Sequence, residues 1–291
     1  MAAVHVRSVD PAATEEQLDR LVTGVGNILG TSLIGMYQHG SAVLGGLRPD
    51  SDIDVLTVAS RPTTREEKRA LMELLLAVSE ARASPRRGRP IEFDLVVATD
   101  IRPWRYPPTF DFHFSELWRD RFESGDAEPW TVRENPDLAS VVTVALLGKE
   151  PLVGPHPSEV LDPVPRADYI DAVLRDVDTV DEYLPWDTRN VVLTLPRVWS
   201  AIATEEVHSK ESAARRALGR IPTEHRAVLE RALSAYLGDT EASWDDIRVE
   251  TRAFVDDISM EIGRAQVRAH PDGLLHPAQL RFAVLRRSAV G

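Results

Sequence analysis

The stretch HGSAVLGGLRPDSDIDVL, residues 39–56, joins a glycine-serine turn to a run of alternating polar and apolar residues. This alternation continues to residue 58 and predicts a strand with one buried face. Asp52 and Asp54 then leave the strand on the same face, while Ile53 and Val55 point into the core. Two neighbouring acids repel one another unless a cation lies between them, so this pair is a candidate metal site.

A third acid extends this candidate site. Glu92 lies in the apolar run from Ile91 to Ala98, which predicts another strand. Three carboxylates on adjacent strands suit Mg²⁺, which takes oxygen ligands and leaves positions for water and nucleotide phosphates. The alternative for the Asp-x-Asp pair alone is an ordinary solvated strand face.

Gly40 and Ser41 form a candidate anion site ahead of these acids. A glycine lets the backbone approach an anion, and the N–H groups and the hydroxyl that follow can contact phosphate oxygens. A Gly-Ser pair by itself indicates only a turn.

The first hundred residues predict an α+β fold. Residues 14–29 have helical periodicity, and a capping box of Thr64 and Glu67 predicts the start of a second helix. With the strands, the order is helix, strand, strand, helix, strand, which favours a mixed sheet over strict alternation.

The character of the chain changes after the Pro-rich segment from Pro151 to Pro165. Beyond it, four apolar stripes at helical spacing predict an all-α helical bundle. We therefore expect two domains, residues 1–162 and 163–291, the second with a C-terminal extension from about residue 266.

Composition excludes several classes of protein. A 43% hydrophobic fraction excludes a disordered chain. The 46 acidic and 34 Lys/Arg residues give a net charge of −12, which argues against a dedicated duplex-DNA binder. The sequence has no cysteine, no apolar run approaching the roughly 20 residues of a transmembrane helix, and no signal-peptide core. We expect a cytoplasmic protein without nucleic-acid or membrane partners.

The order of strand, Gly-Ser, short helix, Asp-x-Asp strand and later acid resembles the nucleotidyltransferase superfamily that includes polymerase beta. Longer motifs narrow the resemblance: HGSAVLGGLRPDSDIDVL, IRPWRYPP, LVGP, DPVP and RNVVLTLPRVW are similar to the aminoglycoside nucleotidyltransferases that adenylylate streptomycin and spectinomycin. The resemblance covers residues 33–265. It implies a polymerase-beta-like nucleotidyltransferase domain with a mixed sheet, followed by an all-α helical bundle.

The resemblance also implies an activity. The chain would be an ATP-dependent O-adenylyltransferase that moves AMP to a hydroxyl of spectinomycin or streptomycin and so gives antibiotic resistance. ATP would be the co-substrate, two Mg²⁺ ions the cofactors, and the enzyme a monomer. Asp52, Asp54 and Glu92 would hold the metal, and Glu92 would also be the general base that takes the proton of the attacking hydroxyl.

By their positions in these motifs, other residues match the nucleotide- and drug-binding residues of the family that the chain resembles. Nucleotide contacts would come from Gly40, Ser41, Ser51, Asp137, Arg197, Lys210 and Tyr236. Drug contacts would come from Asp187, Trp186 and Leu117. An acidic protein suits a cationic drug. The streptomycin-modifying members carry a tryptophan at the position of Leu117, so its absence favours spectinomycin.

Several alternatives stay open on the sequence. Asp94 competes with Glu92 as the base, since both leave the same strand face. Asp137 and Asp187 also suit helix caps, and Tyr236 suits packing between helices. His39, His113 and His156 are assigned to solvent or packing. The activity has two alternatives: transfer to another hydroxylated metabolite, or a regulatory or antitoxin-type nucleotidyltransferase module.

Overall fold

A computed structural model of the chain describes residues 11–80, 88–125, 133–204, 206–240 and 243–269. The described residues form two compact units, one up to Asp168 and one from Tyr169. The elements up to the boundary are, in chain order, α1 (Pro11–Leu29), β1 (Leu33–Gln38), α2 (Gly40–Val43), β2 (Ile53–Ala59), α3 (Arg65–Val78), β3 (Ile91–Val97), α4 (Ala98–Ile101), β4 (Thr109–Phe110), β5 (Phe112–Ser115), α5 (Arg119–Glu123), β6 (Arg133–Glu134), α6 (Leu138–Ala145) and α7 (Pro157–Val160). The domain boundary expected at residue 162 stays a prediction.

The main sheet of the first unit has the strand order β1-β2-β3-β5. β2 runs parallel to β3, whereas β1 and β5 are antiparallel to their neighbours. The mixed sheet expected from the sequence is therefore confirmed. β4 and β6 pair separately as a small antiparallel sheet.

Both faces of the main sheet are covered. Ile53, Val55 and Phe93 pack in one core cluster with residues of α1 and α3. Leu56 and Val58 belong to a second cluster on the opposite face, together with residues of α6. The expectation that β2 has only one buried face is therefore wrong. On the face that carries Asp54, α6 covers the rest of the strand from Leu56 onward.

The capping box that begins α3 is present. The Thr64 hydroxyl accepts a hydrogen bond from the Glu67 N–H at 3.2 Å, and the Glu67 carboxylate accepts one from the Thr64 N–H at 2.7 Å. Each side chain satisfies a backbone donor that the first turn of a helix leaves without a partner. A local sequence signal thus sets the start of this helix.

The second unit is helical within the described residues. Its elements are α8 (Arg166–Asp178), whose first turn precedes the unit boundary, α9 (Val180–Tyr183), α10 (Thr188–Thr204), α11 (Lys210–Leu218), α12 (Thr223–Leu237) and α13 (Arg248–Ala269). α10 packs against α11, α12 and α13. The expected helical bundle is confirmed.

The C-terminal extension was expected from about residue 266, but α13 continues to Ala269. Residues 270–291 lie outside the described part of the chain. Among the described helices, none has the length and apolar character needed to cross a bilayer.

Candidate active site

Polar side chains form two rows across one face of the main sheet. In the strand register Asp54 pairs with Glu92, and Glu92 pairs with Ser115. In the next row Asp94 pairs with His113. Register partners on neighbouring strands lie roughly 5 Å apart and leave the sheet on the same side. The structure therefore brings two of the three predicted metal carboxylates side by side.

Asp52 lies one residue before β2, on the side to which Asp54 points. Asp52, Asp54 and Glu92 are all partly exposed, whereas Ile53 and Val55 are fully buried. Within the described ranges, no three His, Cys, Asp or Glu side chains are already gathered around one point as a metal centre. The donor set itself, three carboxylates on one face, is of the kind that Mg²⁺ takes.

The turn after β1 lies directly against Asp54. Gly40 has a positive φ of 57°, and a Cβ atom added there would lie 1.9 Å from Asp54 Oδ2. The preceding N–H, of His39, donates to the Asp54 carbonyl oxygen at 3.1 Å. Ser41 follows at the start of α2, and its hydroxyl oxygen is shielded from solvent without a hydrogen-bond partner among the described residues. Such a buried polar atom fits a site that receives an anionic ligand.

Ser51 has a structural task in addition to its predicted one. Its hydroxyl oxygen accepts a hydrogen bond from the Arg48 N–H at 2.9 Å, and its own N–H donates to the Arg48 carbonyl at 3.0 Å. A hydroxyl used as an acceptor still has its hydrogen to donate. The predicted phosphate contact of Ser51 is thus compatible with the loop, and it stays a prediction.

Asp94 and His113 form a pair that the sequence did not indicate. Asp94 is only 2% exposed, and its Oδ1 lies 2.9 Å from His113 Nδ1. Burial acts to lower the pKa of His113, but the charge and hydrogen bond of Asp94, with smaller contributions from Glu92 and Asp137, raise it to about 9. The imidazole is therefore charged at neutral pH. His113 does not have the solvent or packing role that we expected.

His39 is the second histidine of this region. Burial lowers its pKa to about 4, against an opposing effect of the Asp94 charge. It is therefore neutral at neutral pH, and its Nε2 has no hydrogen-bond partner among the described residues.

Asp137 precedes α6 and lies near this charged cluster, since its charge contributes to the raised pKa of His113. It occupies the N-cap position, but its side chain makes no capping hydrogen bond. The alternative interpretation of Asp137 as a helix cap is therefore wrong. Its predicted contact with the nucleotide stays a prediction.

In the second unit, an amide connects two predicted site residues. Lys210, the first residue of α11, donates from Nζ to Asn190 Oδ1 at 3.0 Å. Asn190 Nδ2 in turn lies 2.9 and 3.0 Å from the two carboxylate oxygens of Asp187. The predicted nucleotide-binding lysine and the predicted drug-binding acid thus share one partner.

The other predicted residues of this unit differ in exposure. Arg197 Nη2 donates to Asp176 at 3.1 Å, while its Nε is shielded and has no acceptor among the described residues. Tyr236 is buried on α12. Trp186 is 57% exposed, and its ring lies 4.9 Å from that of Tyr183.

Leu117 and Trp118 lie in the first unit and are both exposed. The Arg121 guanidinium lies over the Trp118 ring at 4.6 Å. Glu116, just before them, is bound by Ser79 and Arg119. The indole of Trp118 thus contacts the Arg121 guanidinium, and Glu116 is held by its own two partners.

Comparison with known proteins gives consistent matches along the chain. Residues 19–114 match the nucleotidyltransferase domain, and residues 159–261 match the aminoglycoside adenylyltransferase C-terminal domain. A spectinomycin 9-adenylyltransferase of Staphylococcus aureus is 34% identical over 79% of this chain and 88% of its own length. An aminoglycoside (3'')(9) adenylyltransferase of Escherichia coli is 36% identical with the same coverage.

A solved structure agrees. The crystal structure of a spectinomycin adenyltransferase from Enterococcus faecialis, with ATP and spectinomycin, superposes with a TM-score of 0.80 at 26% identity. It covers 86% of this chain and 99% of its own. The resemblance inferred from the motifs is confirmed.

Replacement of Gly40 by alanine tests the contact between the turn and Asp54. Gly40→Ala should lower the free energy of unfolding by more than the roughly 1–2 kcal/mol of a left-handed non-glycine residue, because the new Cβ must displace the Asp54 carboxylate. Gly30→Ala is the matched control, since Gly30 has a φ of 54° and open space around its Cβ position. Urea denaturation of both variants measures the difference. Equal losses would show that Asp54 does not lie against the turn.

Proposed function

Because the chain belongs to the aminoglycoside adenylyltransferase family, we propose that it transfers AMP from ATP to a hydroxyl of an aminoglycoside-type antibiotic, spectinomycin or streptomycin. This modification would give antibiotic resistance. The observation that carries the proposal is the pairing of Asp54 with Glu92 beside the Gly40 turn, in a chain whose two halves both match the family. We expect the chain to act as a monomer in the cytoplasm, where ATP is available.

We propose that Asp52, Asp54 and Glu92 hold two Mg²⁺ ions. Bound Mg²⁺ would supply positive charge that stabilises both the entering and the leaving oxygen of the transfer. The face that these carboxylates share supports the assignment, because several carboxylate oxygens on one side of a sheet are the donors that Mg²⁺ takes.

Glu92 is the better candidate than Asp94 for the general base. A base must come within hydrogen-bond reach of the proton that it removes. Asp94 is almost fully buried and is bound to His113, whereas Glu92 remains partly exposed. Glu92 would therefore take the proton of the attacking hydroxyl.

The first unit would contact the phosphates through Gly40, Ser41 and Ser51. The shielded Ser41 hydroxyl supports this assignment, because a ligand oxygen would satisfy it. The charge of Asp137 acts on the His113 imidazole of the same sheet face, and Asp137 would contact the nucleotide.

The second unit would supply positive charge for the nucleotide. Lys210 begins α11, where the helix dipole also favours an anion. Arg197 retains a buried Nε donor beside its ion pair with Asp176. Tyr236 is proposed from the resemblance alone.

The drug would be held by Asp187, Trp186 and Leu117. A carboxylate such as Asp187 attracts the cationic groups of an aminoglycoside, and the exposed ring of Trp186 offers a flat apolar surface. Leu117 offers a smaller exposed surface than a tryptophan would. We therefore propose spectinomycin, which is compact and rigid, as the better substrate.

The activity is tested by incubating the chain with Mg²⁺, ATP labelled at the α-phosphate, and a panel of aminoglycosides with spectinomycin. We expect label on spectinomycin and release of pyrophosphate. Asp54→Asn is the control and should fold but transfer no label, because a partly exposed carboxylate is removed without loss of size. Label on no antibiotic would contradict the proposal, and label on another hydroxylated metabolite would favour the alternative acceptor.

The assignment of the base is tested by two isosteric variants. Glu92→Gln should lower kcat by roughly 10²–10⁴ while ATP still binds, because the proton acceptor is lost. Asp94→Asn should lose stability but retain transfer, measured below its unfolding temperature. An active Glu92→Gln variant beside an inactive Asp94→Asn variant would reverse the assignment.

Drug preference is tested at position 117. Leu117→Trp should improve streptomycin binding by about 1–2 kcal/mol, from the larger apolar area and flat face of the indole. That free energy corresponds to roughly five- to thirty-fold in kcat/KM for streptomycin. Trp118→Leu is the control and should leave the ratio of the two drugs unchanged. Preference of the wild type for streptomycin, or no gain in the variant, would contradict the prediction.

A further inference from the structure

Arg89 is a buried arginine at the start of the segment that leads into β3, with only 6% of its surface exposed. Its Nη1 donates to the carbonyl oxygens of Arg48 and Ser51, each at 2.7 Å. The loop between those two residues runs directly into Asp52. The guanidinium therefore holds the turn that immediately precedes Asp52, the first of the proposed metal ligands.

Two side chains of α1 hold Arg89 itself in place. Its Nε donates to the Thr14 hydroxyl at 3.2 Å, and its backbone N–H donates to Gln17 Oε1 at 2.9 Å. Gln17 Nε2 returns a hydrogen bond to the Arg89 carbonyl at 2.7 Å. Both the main chain and the side chain of Arg89 are thus fixed, unlike those of a surface arginine.

Arg89 lies where the two acid-bearing strands begin. The Ile53 N–H donates to the Pro90 carbonyl at 2.8 Å, and one residue further along Asp54 pairs with Glu92. Arg89 therefore connects the start of β3 to the loop before β2 at the end of the sheet that carries the carboxylates. A lysine does not reproduce this arrangement, because its single nitrogen would have to serve the two loop carbonyls and Thr14, which the rigid guanidinium contacts through separate nitrogens.

We propose that Arg89 is a positioning residue of the active site, which holds Asp52 at a fixed distance from Glu92. It acts through the loop rather than by contact with ATP or the drug. This inference rests on the proposed function, because Asp52 and Glu92 are ligands only if the site binds Mg²⁺. Residues that orient metal ligands typically contribute about 10–100-fold to metal affinity or activity.

Arg89→Lys tests the proposal, since it keeps the charge but replaces two separate, rigidly placed donor nitrogens by one on a flexible stem. We expect the Mg²⁺ concentration for half-maximal ATP binding, measured by calorimetry, to rise by about 10–100-fold. We also expect kcat to fall while KM for the drug is unchanged. Arg61→Lys is the matched control, because Arg61 is exposed, pairs with Glu67 through two nitrogens and lies beyond the opposite end of β2. It should change neither quantity.

Thr14→Ala provides a second, milder variant if Arg89→Lys fails to fold. It removes the partner of Nε, leaves the Nη1 contacts to the loop in place, and should shift the Mg²⁺ dependence in the same direction by a smaller factor. Loss of stability with an unchanged Mg²⁺ dependence would overturn the proposal, since Arg89 would then support only the fold. A wild-type chain that binds ATP with Mg²⁺ but modifies no antibiotic would refute the proposed function, and the binding comparison would still test Arg89.

Discussion

The parallel pairing of β2 with β3 is the constraint on which the rest of the structure depends. It sets Asp54 beside Glu92 on one face and, because side chains alternate, sends Ile53 and Phe93 to the other. A slip of one residue in either strand would exchange acids for apolar side chains on both faces. Burial of the apolar face therefore fixes the geometry of the acidic one. The core and the candidate site lie on opposite faces of the same pair of strands.

The helix α6 determines how much of the acidic face remains accessible. Leu56 and Val58 follow Asp54 on that face and are buried in a cluster with residues of α6. The site is thus the uncovered beginning of a face that is otherwise core. This arrangement lets the partly exposed carboxylates stay hydrated while their neighbours support them with rigid packing.

Local sequence signals predicted the elements that depend on local interactions. Alternation indicated β2, an apolar run indicated β3, and the Thr64–Glu67 capping box marked the start of α3. The motif register gave Asp54 and Glu92, and the structure places them together. Their catalytic and metal-binding roles stay predictions, as do those of the other site residues.

Non-local contacts explain what the sequence did not reveal. β5 has four residues and follows a proline-broken aromatic stretch, so its antiparallel pairing with β3 had no clear signal. His113 on that strand was therefore not linked to Asp94. The alternation of Phe112, His113 and Phe114 was the one pattern that indicates a strand with His113 on its other face. The burial of both faces of β2 likewise depends on α6, which comes much later in the chain.

The side-chain amide of Asn190 couples the effects of substitutions at Asp187 and Lys210, because it is hydrogen-bonded to both. Its oxygen accepts from Lys210 and its nitrogen donates to Asp187, so the two charges together select one of the two orientations of the amide plane. Replacing the acid removes one of the two contacts that fix this orientation and thereby loosens the partner of the lysine as well. Substitutions at positions 187 and 210 are therefore epistatic through a residue that carries no charge. A substitution at Asp187, the proposed drug-binding acid, would therefore have to preserve or compensate the contact of Lys210.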